Sequence, residues 1–146
     1  MMMRNVYLAD DDSDDVELFQ VALEEICGTC NFTSSKDGVD LLRKLSDASD
    51  SLPEVLFIDV NMPMMNGLDC LAKIKSQDHL KNIPVVILTT SASLFTIEKA
   101  FKLGANLFVE KPSQYNDLKS MIDKVVHLDW TNRPNGNMNQ FVYKAG

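Results

Sequence analysis

The 146-residue chain is predicted to be an α/β protein, a doubly wound parallel sheet with helices on both faces. Two features of the sequence predict this. Short apolar runs with almost no polar interruption, such as "EVLFIDV" and "PVVILTT", recur along the chain. Between them lie stretches in which apolar residues return every three or four positions. Strands that are apolar on both sides need cover on both faces, and amphipathic helices supply it. Five such units fit in about 130 residues, and right-handed crossovers leave few topologies at that size. The expected arrangement is five strands in the flavodoxin-like order 2-1-3-4-5, with five helices.

"NVYLA" from Asn5 is the first strand, and the helix after it carries Val16, Phe19, Leu23 and Ile26 on one face. Ser13 suits its N-cap, while Asp14 and Asp15 in its first turn favour the dipole. Gly28, after Cys27, fits its C-cap. "NFTSS" is a weak second strand, and "DGVDLLRKLSDA" a helix with Val39, Leu42 and Leu45 inward. "EVLFIDV" is the third strand. A turn and helix start at Pro63 and Asn66-Gly67 leads to Leu68, Leu71 and Ile74. The fourth unit pairs "PVVILTT" with a helix ending at Gly104, in which Leu94, Ile97 and Phe101 share a face and Phe95 lies on the polar side. A lone aromatic on a polar face is a candidate partner anchor. "NLFVE" is stopped by Pro112, and the last helix turns Leu118, Ile122 and Val125 inward. The domain is expected over residues 4–130, followed by a short polar tail, 131–146.

The net charge is −7 and the pI near 4.7, with no basic run, which argues against nucleic acid as a partner. No apolar stretch reaches the ~18 residues of a membrane span. The start turns acidic too soon for a secretory signal, so a cytoplasmic location is expected. Cys27 and Cys30 form a C-x-x-C pattern. A redox pair of that kind wants its nucleophilic thiol at a helix N-terminus, whereas Cys27 closes a helix. Zinc would need about four ligands, and Cys70 with two histidines supplies no matching second pair. The pair therefore reads as a structural helix end.

In open α/β sheets ligands sit at the carboxyl ends of the strands. Those ends bring together Asp10, Asp11 and Asp12 after the first strand and Asp59 at the third. Thr89, Thr90 and Ser91 follow the fourth, and Lys111 the fifth. Grouped carboxylates repel each other unless a cation neutralises them, and Mg2+ takes oxygen ligands of this kind. An aspartate can attack phosphorus to form an acyl phosphate, with a lysine and a hydroxyl stabilising the transferred group. A calcium-binding helix-loop-helix does not fit. Counted from Asp10, its glycine position holds Asp15 and its terminal glutamate position Val21.

"ADDD", "FIDVNMPMMNG", "VVILTT" and "GANLFVEKP", in that order, resemble the signatures of the response-regulator receiver domain over roughly residues 5–130. The likeness is greatest to stand-alone receivers that pair with phytochrome-like or hybrid histidine kinases. The resemblance implies that Asp59 is the phosphoacceptor and that Asp11 binds Mg2+ directly, Asp10 through water, and Asn61 by its backbone carbonyl. It implies that Thr89 bonds to the phosphoryl group and that Lys111 pairs with it. The bond to Pro112 is often cis in the family. Phe108 takes the place of a switch aromatic, often Tyr, that moves inward when Thr89 shifts. Thr90 stands where a smaller residue is common, and crowds the acyl phosphate.

The expectation is a single-domain regulator, not a conventional enzyme, acting as a monomer or weak dimer. It would be phosphorylated by a histidine kinase or phosphotransfer protein and signal through the fourth helix, fifth strand and fifth helix to an unknown downstream protein or along a phosphorelay. A receiver-like adaptor without phosphoryl turnover is the alternative. An aspartyl-phosphate phosphatase wants a second Asp two residues after the nucleophile, where Asn61 stands. A flavin binder would meet a triple-Asp loop that repels its phosphate.

Overall fold

The computed structural model describes residues 4–47, 51–130 and 138–144. Five parallel strands form one sheet in the order β2-β1-β3-β4-β5, as the alternation of apolar runs predicts. They are β1 (Asn5–Ala9), β2 (Asn31–Ser35), β3 (Val55–Ile58), β4 (Val85–Thr89) and β5 (Leu107–Glu110). Helices α1 (Ser13–Ile26) and α5 (Tyr115–Val126) cover one face. The other is covered by α2 (Gly38–Asp47), α3 (Gly67–Lys75) and α4 (Leu94–Lys102).

The period of two sorts each strand between two cores. Val6, Leu8, Val55, Phe57, Val86 and Leu88 meet Phe19, Leu23 and Ile122 on the α1–α5 side. Tyr7, Ala9, Leu56, Ile58, Val85 and Ile87 meet Leu41, Leu71 and Ile74 on the other. This is why "VLFI" and "VVIL" show no polar alternation. The register is continuous, with Ala9 beside Ile58, Ile58 beside Ile87, and Thr89 beside Glu110. The carboxyl ends of β1 and β3 therefore finish level, and β4 runs two residues further to finish level with β5.

Several local expectations are corrected. Asp12, not Ser13, caps α1, its side chain accepting from the N–H groups of Asp14 and Asp15. Ser13 is the first helical residue. At the other end Cys27 itself is the C-cap, its N–H donating to Leu23 O, and Gly28 has no positive φ. Cys27 and Cys30 are joined by a disulfide across the turn that Cys30 N closes on Cys27 O. On α2, Gly38, Leu41 and Leu45 are the buried residues and Val39 is exposed. The helix is seated at Gly38, where a Cβ would strike Met65, and that contact fixes which face turns inward. On α4 only Ala100 is fully buried, and Leu94, expected inward, is 69% exposed.

A sixth, short helix, α6 (Met138–Phe141), precedes an isolated parallel bridge between Val142 and Phe108 on β5. Phe141 is 3% exposed and belongs to the core beneath α4. Residues 131–137 of the polar tail lie outside the described residues. No helix among the described residues is long and apolar enough to cross a membrane.

Candidate functional site

The site lies at the carboxyl ends of β1, β3, β4 and β5, where the chain leaves the hydrogen-bonded sheet and side chains stand free of the ladder. Asp10 follows β1, held by its N–H donating to Ser35 O, and Asp59 follows β3, its N–H donating to Ala9 O. These carboxylates are almost fully enclosed, at 2% and 5% exposure, while Asp11 is open to solvent. Each offers an oxygen such that all three lie within 4.8 Å of one another.

Lys111, from the end of β5, projects into this group. Its Nζ lies 2.8 Å from Asp10 Oδ2, 2.8 Å from Asp15 Oδ2 and 3.1 Å from Asp59 Oδ2. Its own N–H donates to Thr89 O, which pins the residue to the end of β4. Burial by itself would lower the pKa of Lys111, but its bonds to Asp10 and Asp15 and the charges of Asp10 and Asp59 outweigh burial and raise it. Burial pushes the Asp10 carboxyl up, against Lys111 and the N–H of Asp12, and the neighbouring Asp59 charge adds to the rise.

Around Asp59, Oδ1 accepts from Asn61 N at 3.3 Å, and the Asn61 side-chain amide donates to Ser91 Oγ at 2.6 Å. This ties the loop after β3 to the loop after β4. Thr89 is buried, with Oγ1 accepting from Ser91 N at 3.2 Å, and Thr90 is exposed. Close approach of α3 depends on Gly67: a Cβ there would overlap the carbonyl oxygen of Asp59. Asn66 caps that helix, accepting from Asp69 N at 2.9 Å. Phe108, three residues before Lys111, is buried with its ring 6.2 Å from that of Phe141. No peptide bond among the described residues is cis, so the bond to Pro112 is trans.

The predicted residues Asp10, Asp11, Asp59, Asn61, Thr89 and Lys111 thus converge. Asp15 also belongs with them, although the sequence assigns it only to the helix dipole. One signal could have placed it. It is the third residue of a helix that starts directly at the site loop, so its side chain points back at the strand ends. Asp12 caps the helix, and Asp14 lies outside the cluster. Phe95, on α4, is 74% exposed.

The donor set suits a hard divalent cation. It is all oxygen, crowded enough to need a positive charge beyond the one Lys111 supplies, and open on the Asp11 side. Residues 6–123 match the family model described as the response regulator receiver domain. The chain belongs to the response-regulator receiver family. Among relatives, it is 35% identical over 92 residues to chemotaxis protein CheY1 of Helicobacter pylori, covering 63% of this chain and 73% of that protein. The crystal structure of the phosphorylated cyanobacterial phytochrome response regulator RcpA superposes with a TM-score of 0.81 at 27% identity, covering 90% of this chain and 96% of that one. The Mn2+-bound form of response regulator Rcp1 gives 0.73 at 28% identity, over 84% and 91% of the two chains. Receivers are phosphoacceptor modules of two-component signalling that work with histidine kinases and phosphotransfer proteins.

Proposed function

We propose that this receiver takes a phosphoryl group onto Asp59 from a kinase or phosphotransfer-protein phosphohistidine. One observation carries the reading: a buried carboxylate at a strand end shares one ammonium with two further acids and lies beside an open third. An Asp59 oxygen forms the bond to phosphorus as the bond to the donor imidazole breaks, and the imidazole keeps that electron pair and gains a proton. Asp10, Asp11, Asp59 and the Asn61 carbonyl would hold Mg2+. The cation would neutralise charge on the phosphoryl oxygens.

Lys111 then exchanges a carboxylate partner for a phosphoryl oxygen, and Asp10 and Asp15 keep it in place meanwhile. The Thr89 hydroxyl, now accepting from Ser91 N, turns to donate to the phosphoryl group. That rotation frees the 90–93 loop and makes room behind Thr89. Phe108 lies on the same sheet face, beside Ile87 in register, and is the ring placed to follow. Thr90 stands at the exposed rim, where its bulk would slow the water that hydrolyses the acyl phosphate. The altered face spans α4, β5 and α5, with the exposed Phe95 as an anchor for a downstream protein. The protein would act in the cytoplasm, its receiver domain giving way to the tail near residue 131.

The test is intact-mass measurement after incubation with acetyl phosphate and Mg2+. A single acid-labile phosphoryl adduct is expected on the wild type and none on Asp59→Asn. An absent adduct, or an equal one on the variant, would overturn the assignment and leave a binding adaptor in its place.

A further inference from the structure

Residues 138–144 lie along the open edge of the sheet, on β5, the strand that leads into Lys111. Tyr143 N donates to Phe108 O at 2.8 Å, and Val142 makes a parallel bridge with the same residue. Phe141 places its ring 5.1 Å from Phe101 on α4, edge to face, and 6.2 Å from Phe108. Met138 and Val142 pack against the core on the α4 side, and Tyr143 against the core on the α5 side. Lys124 of α5 has its Nζ 6.0 Å from the Tyr143 ring. Met138, Phe141, Val142 and Tyr143 thus bring this one short segment against α4, β5 and α5 together.

We propose that residues 138–144 are a displaceable cover over the α4–β5–α5 edge, released when Asp59 is phosphorylated. This rests on the phosphoacceptor reading above. The coupling is mechanical and short. The backbone seat of the cover is Phe108 O, and three residues on is Lys111, which holds Asp59. The ring seat of the cover is Phe108 again. When Thr89 turns toward a phosphoryl group, Phe108 gains space toward β4, and motion in that direction draws its ring away from Phe141. The segment's pairing with the sheet is one isolated bridge, whereas β4 and β5 pair over four residues. Segments paired this briefly at a sheet edge open at lower free-energy cost than the strands beside them. Once lifted, the cover leaves an edge strand with free backbone groups beside Phe101, which accepts an extended apolar segment by strand addition.

Linkage requires the reverse effect as well: a cover that favours the unphosphorylated form must disfavour the phosphorylated one, so lifting it must raise the extent of phosphorylation. Hydrogen exchange on the full chain tests both directions, with Mg2+, with and without acetyl phosphate, and with intact mass read in parallel. The amides of Val142 and Tyr143 are expected to exchange about tenfold faster or more once the adduct forms, and to be unchanged in Asp59→Asn. Phe141→Ala and, separately, Tyr143→Pro, which removes the N–H donor, are expected to expose the segment without phosphodonor. Each is expected to reach a severalfold higher phosphorylated fraction than the wild type at the same limiting acetyl phosphate concentration. An adduct with unchanged protection at 142–143 overturns the cover alone, whether the segment stays on its own chain or has moved to a second copy. Absence of the adduct overturns the phosphoacceptor reading and the cover with it.

Discussion

At the scale of single residues, the site is an electrostatic balance held by one cation. Lys111 faces Asp10, Asp15 and Asp59, with Asp11 close by, so the acids outnumber the ammonium. Replacing it by a residue of similar shape, Lys111→Met, leaves two enclosed carboxylates without their partner. A loss of about 2–4 kcal/mol is expected in metal-free urea unfolding, in line with breaking a buried ion pair. The same change should enlarge the rise in Tm produced by Mg2+, because the added cation then answers an uncompensated charge. An unchanged Mg2+ response would separate the carboxylate cluster from metal binding. Asp15 is half open to solvent, and Asp15→Asn should cost under about 1 kcal/mol. Met64 poses a different problem: it has φ of +68° and is almost wholly exposed. Its side chain buries little and its backbone is in the left-handed region that favours glycine, so Met64→Gly should be neutral to about 1 kcal/mol stabilising in the same assay.

At the scale of elements, glycine governs how closely helices approach the site. Gly67 lets the start of α3 rest on the end of β3, with its N–H donating to Val60 O at 2.8 Å. Gly67→Ala drives a Cβ into the Asp59 carbonyl, and backbone cannot yield as a side-chain end can. The expected cost is about 2–3 kcal/mol in chemical denaturation, with slower phosphorylation because Asp59 is displaced. What was legible at this scale follows the same logic. Strands were legible because a strand buried on both faces needs nothing but apolar residues. Helix existence was legible from period, but orientation was not: Gly38 and Met65 meet across elements, and that contact turns Val39 outward. Leu94 was misplaced because α4 is anchored mainly through Ala100, so its apolar start is left over the loop. The acids, hydroxyls and lysine at the strand ends were legible because parallel topology alone assembles them. Asp15 was not, since first-turn acids have a sufficient reason to exist as dipole partners. The Cys27–Cys30 bond escaped for a related reason, because a helix-end turn accounts for the spacing without it.

At the scale of the whole molecule, the two cores are joined through a sheet whose three inner strands are apolar along most of their length, and the side away from the acids is fastened by a half-buried cation. Lys75 Nζ donates to Lys81 O at 3.1 Å, Ile83 O at 2.9 Å and Asn106 Oδ1 at 3.1 Å. It thereby ties α3, the approach to β4 and the turn before β5, with Gly104, at φ of +98°, lying over its methylenes. Burial pushes this ammonium down from 10.5 to about 8. On the opposite side of the balance, burial pushes the Cys70 thiol from 9.0 up to about 12, slightly opposed by Lys73. The signs differ. Between pH 8 and 10.5 the unfolded chain holds the Lys75 proton and the folded chain has released it, so stability rises with pH. Between pH 9 and 12 the folded chain keeps the Cys70 proton and the unfolded chain has lost it, so stability falls. Tyr7, raised above 10.0 by burial, adds to the fall. Unfolding free energy should therefore climb by under about 1 kcal/mol from pH 8 to 9, since Lys75 is only partly buried. It should level off through the overlap and decline above about pH 10.5. Lys75→Met should abolish the climb and keep the decline, whereas Cys70→Ala should extend the climb toward pH 10. Urea titrations at half-unit pH steps measure all three curves, and a climb that survives in Lys75→Met would assign it to another group.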